Sequence, residues 1–148
     1  MNALLATPDV ANLVGTRIYV RRGAWGGLSR ELTPEAYSGD DELLPSIVVT
    51  LEARTTAPGR GGFGPDALVA TQTIALWCYA QSGYDVIDQM VRAAKRRLNR
   101  ARDLEPVSDP VHWIETTWAA DTGDVVDPVL DVPLVASRYS AMTIDPLT

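Results

Sequence analysis

The stretch from Leu68 to Arg102 constrains the fold of this chain more than any other. Leu68-Val69-Ala70-Thr71-Gln72-Thr73-Ile74-Ala75-Leu76-Trp77-Cys78-Tyr79 is rich in β-branched, aromatic and aliphatic residues and holds no Gly or Pro, so it reads as a long strand. Its even positions, Leu68, Ala70, Ile74, Leu76 and Cys78, form the more apolar face. Gln81-Ser82-Gly83 turns the chain, and the hydrophobic period then changes from two to about 3.6. Tyr84, Ile87, Val91, Ala94, Leu98 and Ala101 recur at alternating spacings of three and four, widened by Met90, which predicts one continuous helix. Ser82 and Asp85 have capping-box spacing. Asp85 and Asp88 suit the positive end of the helix dipole, and Arg92, Lys95, Arg96, Arg97, Arg100 and Arg102 its negative end.

The other segments are arranged around that unit. Met1 to Val14 reads as a helix, broken or restarted near Thr7-Pro8, where Thr7 suits the N-cap and Pro8 the first helical position. A short strand at Arg17–Val20 follows. Arg21 to Pro45 is irregular, with Trp25, Tyr37 and the acidic run Asp40-Asp41-Glu42; a loop of this length is expected to be functional or disordered when free. Ser46 to Arg54 is a second strand, joined to the long one by the Pro/Gly-rich residues 55–66, as in an antiparallel hairpin with a flexible tip. Beyond the helix come a turn at 105–110, a strand over Val111–Ala120, an irregular bend around Pro128, and a final strand over Val132–Ala141 whose Pro133 favours a strand start or edge. The expectation is a single α+β domain over residues 1–148. It has a largely antiparallel sheet of about four to five strands, two helices packed on one face, and long loops.

Charge and composition exclude several functions. No run approaches the roughly 18 apolar residues of a membrane span, and the N-terminus has no basic, then long apolar, signal pattern. The default expectation is therefore folding in the cytoplasm without a membrane partner. One cysteine rules out an intramolecular disulfide, and Cys78 is expected to be a small core residue. The net charge is −6, yet residues 92–102 hold six of the 13 cationic side chains and no acid. Such a balance argues against a protein that coats nucleic acid, and a basic ridge on an acidic body suits head-to-tail contacts between copies.

No constellation points to catalysis. His112 is the only histidine, and nothing near it or Cys78 orients a thiol–imidazole dyad. Asp121, Asp124 and Asp127 are spaced by three in a turn without the EF-hand pattern and read as solvated turn residues. Gly59-Arg60-Gly61-Gly62-Phe63-Gly64 has the letters G-x-G-x-x-G, but a strand rather than a helix follows it, so the phosphate-binding geometry is missing. No catalytic residue, cofactor or metal is assigned. The basic helix end has three readings: a solvated face, an intersubunit surface meeting Asp40, Asp41 and Glu42 of another copy, or phosphate contact with nearby DNA. Charge asymmetry favours the second. Arg92, Lys95, Arg96 and Arg100 are thus candidates for one side of that contact, and Arg60, Phe63 and Trp25 for contact with a further partner.

Together these segments resemble a known family. The sequence Leu13-Val14-Gly15-Thr16-Arg17-Ile18-Tyr19 ends the first helix, and a strand follows Leu44-Pro45. Gln72-Thr73-Ile74-Ala75-Leu76-Trp77-Cys78-Tyr79-Ala80 then leads to Tyr84-Asp85 and a helix with Val91-Arg92 and Leu98. The pattern is similar to the tail-terminator, or tail-completion, proteins of long-tailed bacteriophages (siphovirus tails among them) and phage-derived particles. The resemblance implies a structural, non-enzymatic virion protein forming a hexameric ring at the neck. Such a ring caps the completed tail tube and takes part in head–tail joining, with the tail tube protein and the head-side connector as partners and DNA passing through the lumen. A head–tail connector or stopper ring is the alternative within this class, and a DNA-contacting adaptor the alternative outside it. The long Arg21–Pro45 loop and the glycine-rich tip depart from a short member of the family.

Overall fold

The computed structural model describes residues 2–21, 27–58, 67–102 and 112–146. A short helix α1 (Asn2–Leu5) and a second helix α2 (Pro8–Val14) are separated at Ala6–Thr7, where the sequence places the break. Next come β1 (Ile18–Val20), a 3-10 turn at Pro34–Ala36, and the long strands β2 (Ser46–Pro58) and β3 (Ala67–Tyr79). Helix α3 (Tyr84–Leu98) leads to β4 (Ala101–Arg102), β5 (His112–Asp121), β6 (Val125–Asp127) and β7 (Val132–Pro146).

The α+β class stands, but the sheet is larger than the sequence suggests. It has seven strands in the order β1-β2-β3-β7-β5-β4, with β6 paired to β7. Every pairing is antiparallel except β1 with β2, which is parallel. The two unforeseen strands, β4 and β6, are two and three residues long, too short to show an alternating pattern. Pro133 is the second residue of β7, a strand start as expected but not an edge, and its carbonyl accepts from the Ala80 N–H.

The sheet has two differently covered faces. Ile74, Leu76 and Cys78 of β3 meet Ile47 and Val49 of β2 and Val135 and Tyr139 of β7. Onto this face pack Ile87, Met90, Val91, Ala94 and Leu98 of α3, with Val10 and Val14 of α2. The expected stripe of α3 is therefore the core stripe as far as Leu98. Trp77 and Tyr79 point the other way and pack with Val48, Leu28, Ala36, Leu43 and Val132 in a second, smaller cluster. The described part of the long irregular loop, expected to be functional or disordered when free, is thus a folded layer. A Tyr37–Leu43 bridge and the Leu44 N–H to Ala36 O bond hold it, and Leu43 exchanges hydrogen bonds with Gln81.

Both ends of α3 differ from expectation. Gly83 holds the N-cap position at φ 120°, a conformation that residues with a Cβ rarely adopt, and no side chain caps the helix, so the Ser82–Asp85 box does not form. At the other end the helix stops at Leu98 instead of running through Arg102. The Asn99 side chain accepts the Trp118 backbone N–H, Arg100 turns to φ 57°, and Ala101–Arg102 join β5. Arg100 and Arg102 therefore leave the helical basic ridge.

Cys78 is fully buried. Burial first, and the Asp121 charge second, push its thiol up to about 12. A thiol reagent at pH 8 is expected to label the folded chain at a rate limited by unfolding, and to label it at once in denaturant. Rapid labelling of the folded protein would contradict this packing.

Candidate interaction surfaces

Helix α3 carries Arg92, Lys95, Arg96 and Arg97 along its second half, which needs no explanation beyond the dipole. What distinguishes these cations is their partners. Lys95 Nζ lies 2.8 Å from Asp121 Oδ2 and 4.1 Å from the centre of the Trp118 ring. Asp121 also accepts from Trp118 Nε1 at 2.9 Å and from Ser137 Oγ at 2.6 Å. Burial alone would raise this carboxyl, but the bonds from Lys95, Ser137 and Trp118 together with the Lys95 charge outweigh it and hold Asp121 below the usual carboxylate range. The network clamps α3 to β5 and β7.

Arg96 pairs with Asp9 of α2 at 3.0 Å in an exposed position. Arg92 has no acidic partner among the described residues. Between α2 and α3 lies a groove of about 340 Å³, lined by Asp9, Asn12, Leu13, Gln89, Arg92, Ala93 and Arg96. It continues along α3 past Lys95 and Asn99 as a second hollow of about 390 Å³.

The acidic residues Asp40, Asp41 and Glu42 sit elsewhere. Leu43 is tied to Gln81, so this run lies by the turn that opens α3. Arg92 to Arg97 lie eight to thirteen residues beyond the first residue of α3, about 12–20 Å along its axis. Asp41 already contacts Arg30 at 2.9 Å, and Arg30 stacks over Tyr37. The structure therefore places the two charged groups far apart on the molecule. Trp25, Arg60 and Phe63 lie outside the described residues.

A third surface escaped the sequence. Val125 and Val126 are 43 % and 50 % exposed and Val129 is 88 % exposed, so the β6–β7 hairpin presents three valines to solvent. Asp127, earlier one of three evenly spaced turn aspartates, shapes the hairpin by accepting the Val129 and Leu130 N–H groups. The repeated valines around Pro128 were the available signal; only their exposure makes them a surface.

The chemical alternatives are answered by register. Cys78 pairs with Val135 and His112 with Ile144, positions separated by about 30 Å of strand β7, so they form no dyad. The G-x-G-x-x-G letters lie between two antiparallel strands, with no helix after them to receive a phosphate. Among the described residues no group of three His, Cys, Asp or Glu is placed to hold a metal ion, and no helix is long and apolar enough to cross a membrane.

No protein-family model and no curated protein sequence matches the chain. Among solved structures it is similar to a chain described as "Virion of native gene transfer agent (GTA) particle". The match has a TM-score of 0.62 and 16 % identity, and covers 97 % of this chain and 90 % of that one. At that identity the likeness is one of fold.

Proposed function

We propose that this chain is a structural protein of a phage-like virion, a ring-forming tail terminator at the neck that caps the completed tail tube and joins it to the head-side connector. The observation that carries the proposal is the end-to-end likeness in fold to a chain of a phage-like particle. The sequence resemblance to tail-completion proteins narrows that virion role to the terminator. Its mechanism is geometric. A cyclic ring needs two unlike patches on each subunit, and this subunit separates its charges along α3.

Arg92, Lys95 and Arg96 on α3 form the basic side of the contact in this reading, with Arg100 just past the helix end as a further candidate. Asp40, Asp41 and Glu42 are the acidic candidates on the next copy, and Trp25, Arg60 and Phe63 the candidates for the tube or adjacent ring. Lys95 and Asp41 are held by partners in their own chain, which leaves Arg92 and Arg97 as the α3 cations without an acidic partner among the described residues. Charge reversal at Arg92→Glu with Arg96→Glu is expected to raise the concentration needed for ring formation at least tenfold. The monomer should stay folded, because the exposed Arg96–Asp9 pair contributes little to stability. Unchanged assembly by light scattering would remove these residues from the interface.

A further inference from the structure

We propose that the β6–β7 hairpin of one copy seats in the groove between α2 and α3 of the next. The inference rests on the ring reading and keeps α3 as one side of the contact, but puts the hairpin in place of the 40–42 run as its counterpart.

Three observations bring these surfaces together. The hairpin presents Val125, Val126 and Val129, the last of them 88 % exposed, and is flanked by Asp124 and Asp131. Neither aspartate forms an ion pair among the described residues. The groove is mixed: Leu13 and the buried Ala93 lie among Asp9, Asn12, Gln89, Arg92 and Arg96, and with Arg96 paired to Asp9, Arg92 is its cation without an acidic partner among the described residues. The exposed valines cover Leu13 while an acidic flank meets Arg92, a match in sign of charge.

Position supplies the second argument. Within one chain the hairpin is anchored by Tyr84, the first residue of α3, whereas the groove is lined by Gln89, Arg92, Ala93 and Arg96 further along that helix and by Asp9, Asn12 and Leu13 of α2. Hairpin and groove are thus two separate, unlike patches, and unlike patches generate a head-to-tail contact, the kind that closes into a ring.

Preorganisation is the third. Asp127 Oδ1 accepts the Val129 and Leu130 N–H groups at 2.8 and 3.0 Å, and Tyr84 Oη donates to the Val125 carbonyl at 2.9 Å. The tip is shaped before it meets a partner, so little ordering entropy is lost on docking. The 40–42 run is the poorer counterpart. Asp41 is engaged by Arg30, and the adjoining Leu43 is buried.

The test uses the full chain under conditions where the wild type forms rings, with purified tail tubes added if free protein stays monomeric. Val129→Asp is expected to raise the assembly concentration at least tenfold, whereas Asp40→Lys with Glu42→Lys leaves it within twofold. Val129→Cys combined with Gln89→Cys is expected to give an oxidised ladder of linked subunits, and either single variant no more than a dimer; the buried Cys78 is not expected to interfere. Rings that form normally from Val129→Asp, or a double-cysteine variant that assembles without cross-linking, overturn the docking inference and leave the ring reading standing. A wild-type chain that forms no ring or cap even with tubes overturns the ring reading itself and the docking inference with it.

Discussion

Truncating Leu76 to alanine is expected to lower the folding stability by about 3–5 kcal/mol, the largest effect of any single substitution considered. Leu76 is 1 % exposed on β3 and sits between Val49 of β2 and Ser137 of β7. It belongs to the cluster that α2 and α3 cover. Removing three carbons there forfeits transfer free energy and leaves a cavity that neither a paired sheet nor a 15-residue helix can collapse into easily. Urea unfolding would show the loss as a lower midpoint at unchanged slope. A loss under about 1 kcal/mol would mean that α3 is not packed on β3 as described.

Asp121→Ala is expected to cost about 3 kcal/mol at neutral pH, because it strips three donors at once. Ser137 is fully buried, and its hydroxyl would keep only the 3.2 Å contact with Tyr139 Oη. Lys95 would lose its carboxylate while two-thirds covered. The pH dependence follows from the same bonds. Asp121 titrates below the usual carboxylate range when folded, so its contribution is fully present above that range and is lost as pH falls through the depressed value. The difference in stability between wild type and Asp121→Ala should therefore be constant near neutrality and shrink in acid. A difference independent of pH down to strong acid would assign the effect to packing instead of charge.

The contrast between Leu76 and Asp121 shows what a sequence makes readable. Leu76 declares itself through period two, and Ile87, Val91, Ala94 and Leu98 through period 3.6, because these repeats are the direct imprint of a covered face. Asp121 declares nothing. Its partners Lys95 and Ser137 lie 26 and 16 residues away, brought together only when α3 crosses β5 and β7. The same reason hid the end of α3. Local propensity continues through Arg100, but the Asn99 bond to Trp118 and the chance to pair with β5 override it. Leu28, Ala36 and Leu43 were hidden differently, being spaced by turn residues without any period, so their cluster under Trp77 and Tyr79 emerges only from the folded sheet.

For the candidate surfaces, the basic residues of α3 were legible as a charge run, whereas their division into Lys95, held within the chain, and Arg92, unpaired among the described residues, was not. The valine hairpin was legible only as a bend around Pro128. Hydrophobic residues in a sequence are core by default, and exposure of 88 % at Val129 is a property of the fold alone.

The central claim is that the chain acts by closing into a ring on a tail tube. Light scattering across a range of protein concentrations, with negative-stain images of the largest species and of purified tubes mixed with the protein, tests it most directly. The account predicts six-fold rings with an open centre, or a cap at one end of each tube. A chain that remains monomeric at every concentration and leaves the tubes bare at both ends would contradict it.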